Sequence, residues 1–415
     1  MKRPKKRVLS EEEITRINRV FSGRPPVGVG YTRKSKGGRK KKLSTVVLNY
    51  NLVIGAEYEP RGSDSQVGAA YVYDVNQLSE DPYKIAPPAD IAEFNNFGRE
   101  VAITSSHVIV ATYEYNANRG GVWLYDRTNL SAAPTKLQGE NTGDRFGWSI
   151  AAKGDTLVVG ATDWDNTDVS PNVNNSGKVY IYDLTNLSAS PTTLQDDAGA
   201  ENNRFGYDVN ISDDDIYVAA RVSADEQNGK LYLYDRTNLS AAPTTRDGGI
   251  FSGSFASTGT FSALSPDGLN LVVSETNRLI DLNTSDLTTD LGTIYSAGTP
   301  TSVSSNDTYL VWGRTSGDDN SLTNSGEAFI APWSNLLSET EFYSGALQSN
   351  SGFGSSICIA GNFVVVGSEL AETGSPQVTD TGAAFVYSVT NVSGTPTLIT
   401  PGVANSRFGS SMAGL

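Results

Sequence analysis

The sequence predicts an all-β fold: a seven-bladed β-propeller of four-stranded blades, preceded by a basic N-terminal extension with one short helix. Three observations predict it. One phrase recurs seven times between Asp74 and Ser388, at a mean spacing of about 52 residues. That period belongs to propellers and solenoids, and not to stacked unrelated domains. A second phrase keeps phase with the first, and the residues between them alternate with period 2 and are rich in β-branched and aromatic types, without helical periodicity.

The first phrase is clearest at Asp126-Arg-Thr-Asn-Leu130-Ser-Ala-Ala-Pro134, Asp183-Leu-Thr-Asn-Leu187-Ser-Ala-Ser-Pro191 and Asp235-Arg-Thr-Asn-Leu239-Ser-Ala-Ala-Pro243. Weaker copies start at Asp74, at Asp281, near Pro332 and at Ser388. The second phrase is Phe146-Gly-Trp-Ser-Ile-Ala-Ala, leading to Leu157-Val-Val-Gly-Ala161 and then Gly177-Lys-Val-Tyr-Ile-Tyr-Asp183. Each unit therefore holds four short β-rich runs. In the third unit these are strand A (Ser149–Ala151), a tight turn, strand B (Leu157–Ala161), a variable loop, strand C (Val179–Asp183), the Asn-Leu-Ser-Ala turn and strand D (Thr192–Leu194).

Phe-Gly followed by Ser-Ile-Ala, then Leu-Val-Val-Gly-Ala, then Gly-Lys-Val-Tyr-Ile-Tyr, resembles the FG-GAP repeat of integrin-α-like β-propellers and their phage and bacterial relatives. The resemblance covers nearly all of 44–415; it is strong in units 2, 3, 4 and 7 and eroded in units 5 and 6, where Thr260 and Thr299 stand at the Phe position. It implies seven blades. In that family the A–B loops carry calcium through closely spaced carboxylates, but the loops here, such as Ala152-Lys-Gly-Asp155, are too short and too poor in oxygen ligands for that site. The orphan Phe408-Gly-Ser-Ser-Met-Ala-Gly-Leu415 is expected to give the first blade its innermost strand and close the circle. Ser44-Thr-Val-Val47 competes for the same slot, so either one segment is displaced or Phe408–Leu415 pairs outside its own ring.

Composition excludes several chemistries. Among 415 residues there is one Cys, Cys358, and one His, His107, so no intramolecular disulfide and no His or Cys metal cluster is available. No catalytic residues and no cofactor are expected, and no enzymatic activity. Asp163, Asp165 and Asp168 alternate in a B–C loop and are the remaining, weak candidates for a cation. The aromatic C strands are expected to fill the space between sheets. The B–C loops vary most in length, and variable loops on a rigid scaffold are where recognition sits.

The formal charge of −14 conceals a division: residues 1–43 carry about +12 and residues 44–415 about −26. The acidic ring is expected to repel nucleic acid. The arm has Lys2, Arg3, Lys5, Lys6 and Arg7 at its start and Arg33, Lys34, Arg39, Lys40, Lys41 and Lys42 at its end. Between them Ser10-Glu-Glu-Glu13 forms a capping box opening a helix over about 11–21, with Ile14, Ile17 and Phe21 on one apolar stripe. Such a stripe needs a partner. An acidic Glu11-Glu-Glu13 stands where a signal peptide would be apolar, and no apolar run approaches a membrane span, so a soluble chain made in a cytoplasm is expected. These features together suggest a bacteriophage virion structural protein of the tail or a surface appendage. Its arm would hold other virion structural proteins, and its B–C loops would meet a host surface receptor or glycan. The alternative is an adhesin- or lectin-like cellular propeller whose basic arm binds an anionic polymer or surface.

Overall fold

The computed structural model describes residues 49–415 except for 169–170, 197–200, 222–228, 248–261, 266, 276–277, 288–289, 296–299, 316–324, 343–350 and 374–378. Seven four-stranded antiparallel sheets follow one another as the blades of a β-propeller. In the third, strand A runs over Phe146–Lys153, B over Thr156–Ala161, C over Lys178–Asp183 and D over Thr192–Leu194. Strand A is longer than expected because the Phe-Gly pair belongs to it: the register slips between Phe146 and Ile150, and this bulge absorbs Gly147 at φ 87°. The inner strands of the other blades are Glu100–Ile103, Asp208–Ile211, Ser262–Leu264, Ser302–Ser305 and Phe353–Ala360.

Phe408–Gly414 is the innermost strand of blade 1, antiparallel to Leu52–Ala56, so the chain closes its own ring. The competing segment 44–47, the expected helix over 11–21 and the eroded positions Thr260 and Thr299 lie outside the described residues. The fifth copy of the turn phrase begins at Asn283 and not at Asp281: strand C extends to Asn283, whose Oδ1 accepts the N–H and hydroxyl of Ser285. Asp126, Asp183 and Asp235 do the same for Thr128, Thr185 and Thr237, which explains why Asp-x-Thr recurs.

Seven apolar clusters lie one between each pair of adjacent blades. Phe97, Phe146, Phe205, Phe353 and Phe408 are fully buried, each edge-on to an aromatic ring of its own blade's strand C: Trp123, Tyr180, Tyr232, Phe385 and Tyr71 at 4.9–5.5 Å. The C-strand aromatics are thus interblade filling, as expected.

A second device fastens blade to blade. Ser149, Ser302, Ser356 and Ser411 each donate a hydroxyl hydrogen bond to the carbonyl of Gly206, Gly354, Gly409 or Gly98 in the next blade, at 2.7–2.9 Å. Opposite these serines strand B carries Gly160, Gly313, Gly367 and Gly55. A Cβ there would lie 2.0–2.3 Å from the same carbonyl oxygen. Where the seryl position is acidic, at Glu100 and Asp208, the facing strand B residue is Ala111 or Ala219. Serine donor and glycine gap therefore occur together, because the carbonyl approaches closely enough to accept the hydroxyl only over a residue without a Cβ.

Candidate functional site: a collar of arginines and aromatics

The collar grows from how the loops are laced. Each B–C loop runs beside the segment leading into the next blade's Phe-Gly. Arg204 and Phe205 donate their N–H groups to Asn175 and Ser176; Arg145 and Phe146 to Asn118 and Arg119; Arg407 and Phe408 to Asp380 and Thr381; and Asn96 and Phe97 to Gln66 and Val67. This ladder puts the residue before each Phe in the left-handed region: φ is 53° at Asn96, 56° at Arg145, 48° at Arg204, 47° at Arg407 and 69° at Gly352. Asn and Gly occupy that region at low cost, and arginine does not. The backbone therefore does not account for arginine at three of these five positions.

Those arginines share carboxylates between blades. Asp163, just past strand B of blade 3, lies 3.2 Å from Arg145 Nε through Oδ2 and 3.5 Å from Arg204 Nε through Oδ1. Glu57, only 1 % exposed, is 3.0 Å from Arg99 Nη1 and 4.0 Å from Arg407 Nη1, and Arg407 is equally far from Glu369. Burial pushes the carboxyls of Glu57 and Glu114 up, against the pull of Arg99. Glu369 is pushed up to about 7 by burial and by Glu57, and Glu100, at the lip of the axial channel, to about 8 by burial, with Asp208 and Glu57 adding to it.

Aromatic rings complete the collar. Tyr113, Trp148 and Tyr207, from blades 2, 3 and 4, form a row with centroids 4.5 and 5.5 Å apart. Arg99 sits 4.8 Å over Tyr113, Arg145 5.5 Å over Trp148, Arg221 5.4 Å over Tyr207 and Arg407 4.2 Å over Tyr58. Tyr113 and Trp148 keep part of their surface open, while Tyr207 is buried. Below the collar an axial cavity of about 600 Å³ is lined by the inner strands of all seven blades, among them Ile103, Ile150, Ile211, Val303, Ile357 and Met412.

Residues 138–182, which hold the inner three strands of blade 3, match the family model described as FG-GAP repeat. The chain is a seven-bladed β-propeller with an FG-GAP repeat in its third blade. No curated protein matches it. Among solved structures it is similar to the computationally designed Ika8 protein, at 13 % identity and a TM-score of 0.45, covering 87 % of this chain and 86 % of that one. It is also similar to TolB from Acinetobacter baumannii, at 13 % identity and a TM-score of 0.41, covering 72 % and 65 %.

In this propeller the Phe-Gly signature has a direct physical reading: the Phe is the buried interblade ring, its Gly supplies the accepting carbonyl, and the strand B Gly leaves room for it. The expected arm residues, Lys2 to Lys42 with Ile14, Ile17 and Phe21, lie outside the described residues. The three aspartates considered for a cation are divided among different tasks. Asp163 serves two guanidiniums, Asp165 accepts the N–H of Asn175, and Asp168 donates its N–H to Asn166. Among the described residues no three Asp, Glu, His or Cys side chains converge as a ligand set. His107 stands on the opposite, turn-bearing face, where its Nδ1 meets the neighbouring Ser106 hydroxyl at 2.9 Å. Asp126, its cross-strand partner, already accepts two hydrogen bonds from Thr128.

The collar was missed in the sequence, although its signal is there. Arginine directly precedes Phe-Gly at positions 145, 204 and 407, and six of the twelve arginines in 44–415 (99, 145, 204, 221, 314 and 407) fall beside a Phe-Gly or at the end of a strand B.

Proposed function

We propose that this FG-GAP propeller is a tethered, non-catalytic binding module: a structural component of a bacteriophage virion, in its tail or another surface appendage. Residues 1–43 anchor it to other virion proteins, and the collar face is turned outward to a host receptor or glycan. The polarity of the ring carries this reading. Asn49, where the described chain begins, donates its N–H to Asp74 at 2.9 Å and accepts from Arg127 Nη2 at 2.6 Å, on the face of the A–B and C–D turns. The collar occupies the other face, away from the point at which residues 1–48 join the ring. The division of charge, about +12 in the arm against −26 in the rest, supports an anchoring role for the arm on an acidic partner.

Deleting residues 1–43 tests this. The truncated ring is expected to keep its sheet circular dichroism and to be absent from purified particles by mass spectrometry, while the full chain is present at a fixed copy number. Incorporation of the truncated ring at the same copy number defeats the anchor role. Absence of the full chain from particles defeats the virion setting and favours a cellular, adhesin- or lectin-like propeller whose arm lies on an anionic polymer or surface.

A further inference from the structure

We infer that the basic run Arg33–Lys42 rests on the acidic turn face of its own ring, around the mouth of the axial channel, and that an acidic partner has to displace it from there. This goes beyond the anchoring role proposed above and does not depend on the particle in which the arm is used.

Charge is divided unevenly between the two faces of the described ring. On the collar face carboxylates meet cations: Asp163 lies beside Arg145 and Arg204, Glu140 beside Lys178, Asp90 beside Lys136 and Glu327 beside Arg314. On the turn face, among the described residues, Lys153, Arg127 and Arg236 are the only lysines and arginines in or flanking the A–B and C–D turns. Carboxylates stand in or beside the C–D turns of blades 1 to 6 and the A–B turns of blades 3 to 6. Two of the three cations are held by backbone: Arg127 by the carbonyls of Tyr50 and Ser105, Arg236 by those of Ser212 and Asp213. Lys153 pairs with Asp213 at 3.4 Å, and the Asp213 side chain is still 75 % exposed. Asp155, Asp214, Asp267 and Asp307 are exposed in the same A–B turns, whose Gly154, Ser212, Ser265 and Asn306 line the channel.

The arm joins the ring at the same place. Asn49 is held on this face by Asp74 and Arg127, and Asn51 accepts the N–H of Leu415, a channel-lining residue, at 3.0 Å. Lys42 precedes Asn49 by seven residues and Arg33 by sixteen, so an extended chain puts them at most about 25 Å and about 55 Å away. A compact body of about 370 residues has a radius of gyration of about 21 Å, so every turn around the mouth is within reach. Seven of the ten residues from Arg33 to Lys42 are Lys or Arg. Tethered so closely, they meet the turn carboxylates at an effective concentration of about millimolar, which favours their own ring over a second copy. Each exposed pair contributes little, but several cations along a row of carboxylates add, and salt weakens them together. A single metal ion is the poorer occupant, because among the described residues no three carboxylates converge on one point.

The test uses the full chain at about 0.02 M and about 0.5 M salt, between which the screening length falls from about 20 Å to about 4 Å. A carbodiimide joins lysine amines to carboxyl groups in direct contact, and the joined peptides are identified by mass spectrometry. At low salt Lys34, Lys36, Lys40, Lys41 or Lys42 is expected to join the carboxylates of the A–B turns, with roughly fivefold fewer links to the exposed collar residues Glu93, Glu201 and Glu372. High salt should reduce the turn links by roughly fivefold or more. In an equal mixture of isotope-labelled and unlabelled chains, the links are expected within chains of one label. The triple variant Asp155→Asn, Asp213→Asn and Asp307→Asn should speed tryptic cleavage within Arg33–Lys42 by roughly threefold or more at low salt. Glu93→Gln, Glu201→Gln and Glu372→Gln together make the same change in net charge and should leave cleavage unchanged. The cross-linking needs no variant, so it stands even if a substitution disturbs folding. The inference fails if the links are absent at low salt, if they fall on both faces alike, if mixed-label links predominate and so make a second copy the occupant, or if the collar changes speed cleavage as much as the turn changes. None of these readouts involves particles, so failure here and failure of the anchor reading are distinguishable.

Discussion

Gly160→Ala puts the serine and glycine fastening to a quantitative test. The added methyl would sit 2.1 Å from the Gly206 carbonyl oxygen and 2.5 Å from Ser149 Oγ, against an ordinary contact of 3.4 Å or more. Blades 3 and 4 must therefore separate locally by about 1 Å, which forfeits dispersion along the seam. Overpacking of this kind costs about 1–3 kcal/mol. Displacing the Gly206 carbonyl from Ser149 leaves a buried acceptor unpaired, for about 1–3 kcal/mol more. The smaller entropy of the unfolded alanine chain returns about 0.4–1 kcal/mol. The net loss is about 3 kcal/mol, measured as the shift in urea midpoint multiplied by the slope of the transition followed by tryptophan fluorescence. Ser149→Ala alone should cost about 1 kcal/mol. The double variant should cost less than the two losses combined, because the same hydrogen bond is lost only once. A Gly160→Ala loss below about 1 kcal/mol, or strict additivity in the double variant, would refute the shared device.

Other outcomes follow from burial and charge. Glu369 faces Glu57 and Asp380, which raise its pKa with burial, and Arg407 and Arg99, which lower it; it rises from 4.5 to about 7. The folded state therefore holds a proton that the unfolded state releases, and stability should fall as pH rises from about 5 to 8, less steeply in Glu369→Gln, by urea unfolding at each pH. Phe408→Ala removes a fully buried ring from the closing strand and should cost about 3–5 kcal/mol, with limited proteolysis near both ends of the ring as a second readout. Cys358 is 3 % exposed and its thiol pKa is raised by burial, so an aromatic disulfide reagent should label it only in denaturant.

The ring was legible in the sequence because its fastening uses residue types with narrow physical roles. Asp-x-Thr marks the outer turn because the carboxylate must accept two donors, and Phe-Gly marks the inner strand because one residue fills the seam while the next lends its carbonyl. Closure by Phe408 followed from an unmatched copy of the same phrase. The start of strand A was misjudged because period-2 reading stops at a glycine of positive φ, whereas the bulge carries the strand through it. The collar escaped because no local stretch contains it. Arg145 and Arg204 are 59 residues apart and meet at Asp163 only once two blades are side by side.

Net charge describes the ring as a whole and not the collar. A ring of about −26 suggests that anions are repelled, yet at physiological ionic strength charges more than about 8 Å apart are largely screened. A bound anion therefore responds to its immediate neighbours. Those neighbours are arginines whose counter-ions are shared or pushed toward the neutral form: Asp163 is divided between two guanidiniums, and burial with Glu57 raises the pKa of Glu369. Raising the pH ionises Glu369 and Glu100, whose cationic partners are Arg407 and Arg99 and not Arg145 or Arg204, so an anion held at Arg407 or Arg99 should bind more weakly between about pH 6 and 9, by calorimetry, and one held at Arg145 and Arg204 should change less. A neutral ligand at either place should show no pH dependence over that range. That contrast separates a local cationic mouth from the field of the whole ring, which already carries its negative charge throughout this range.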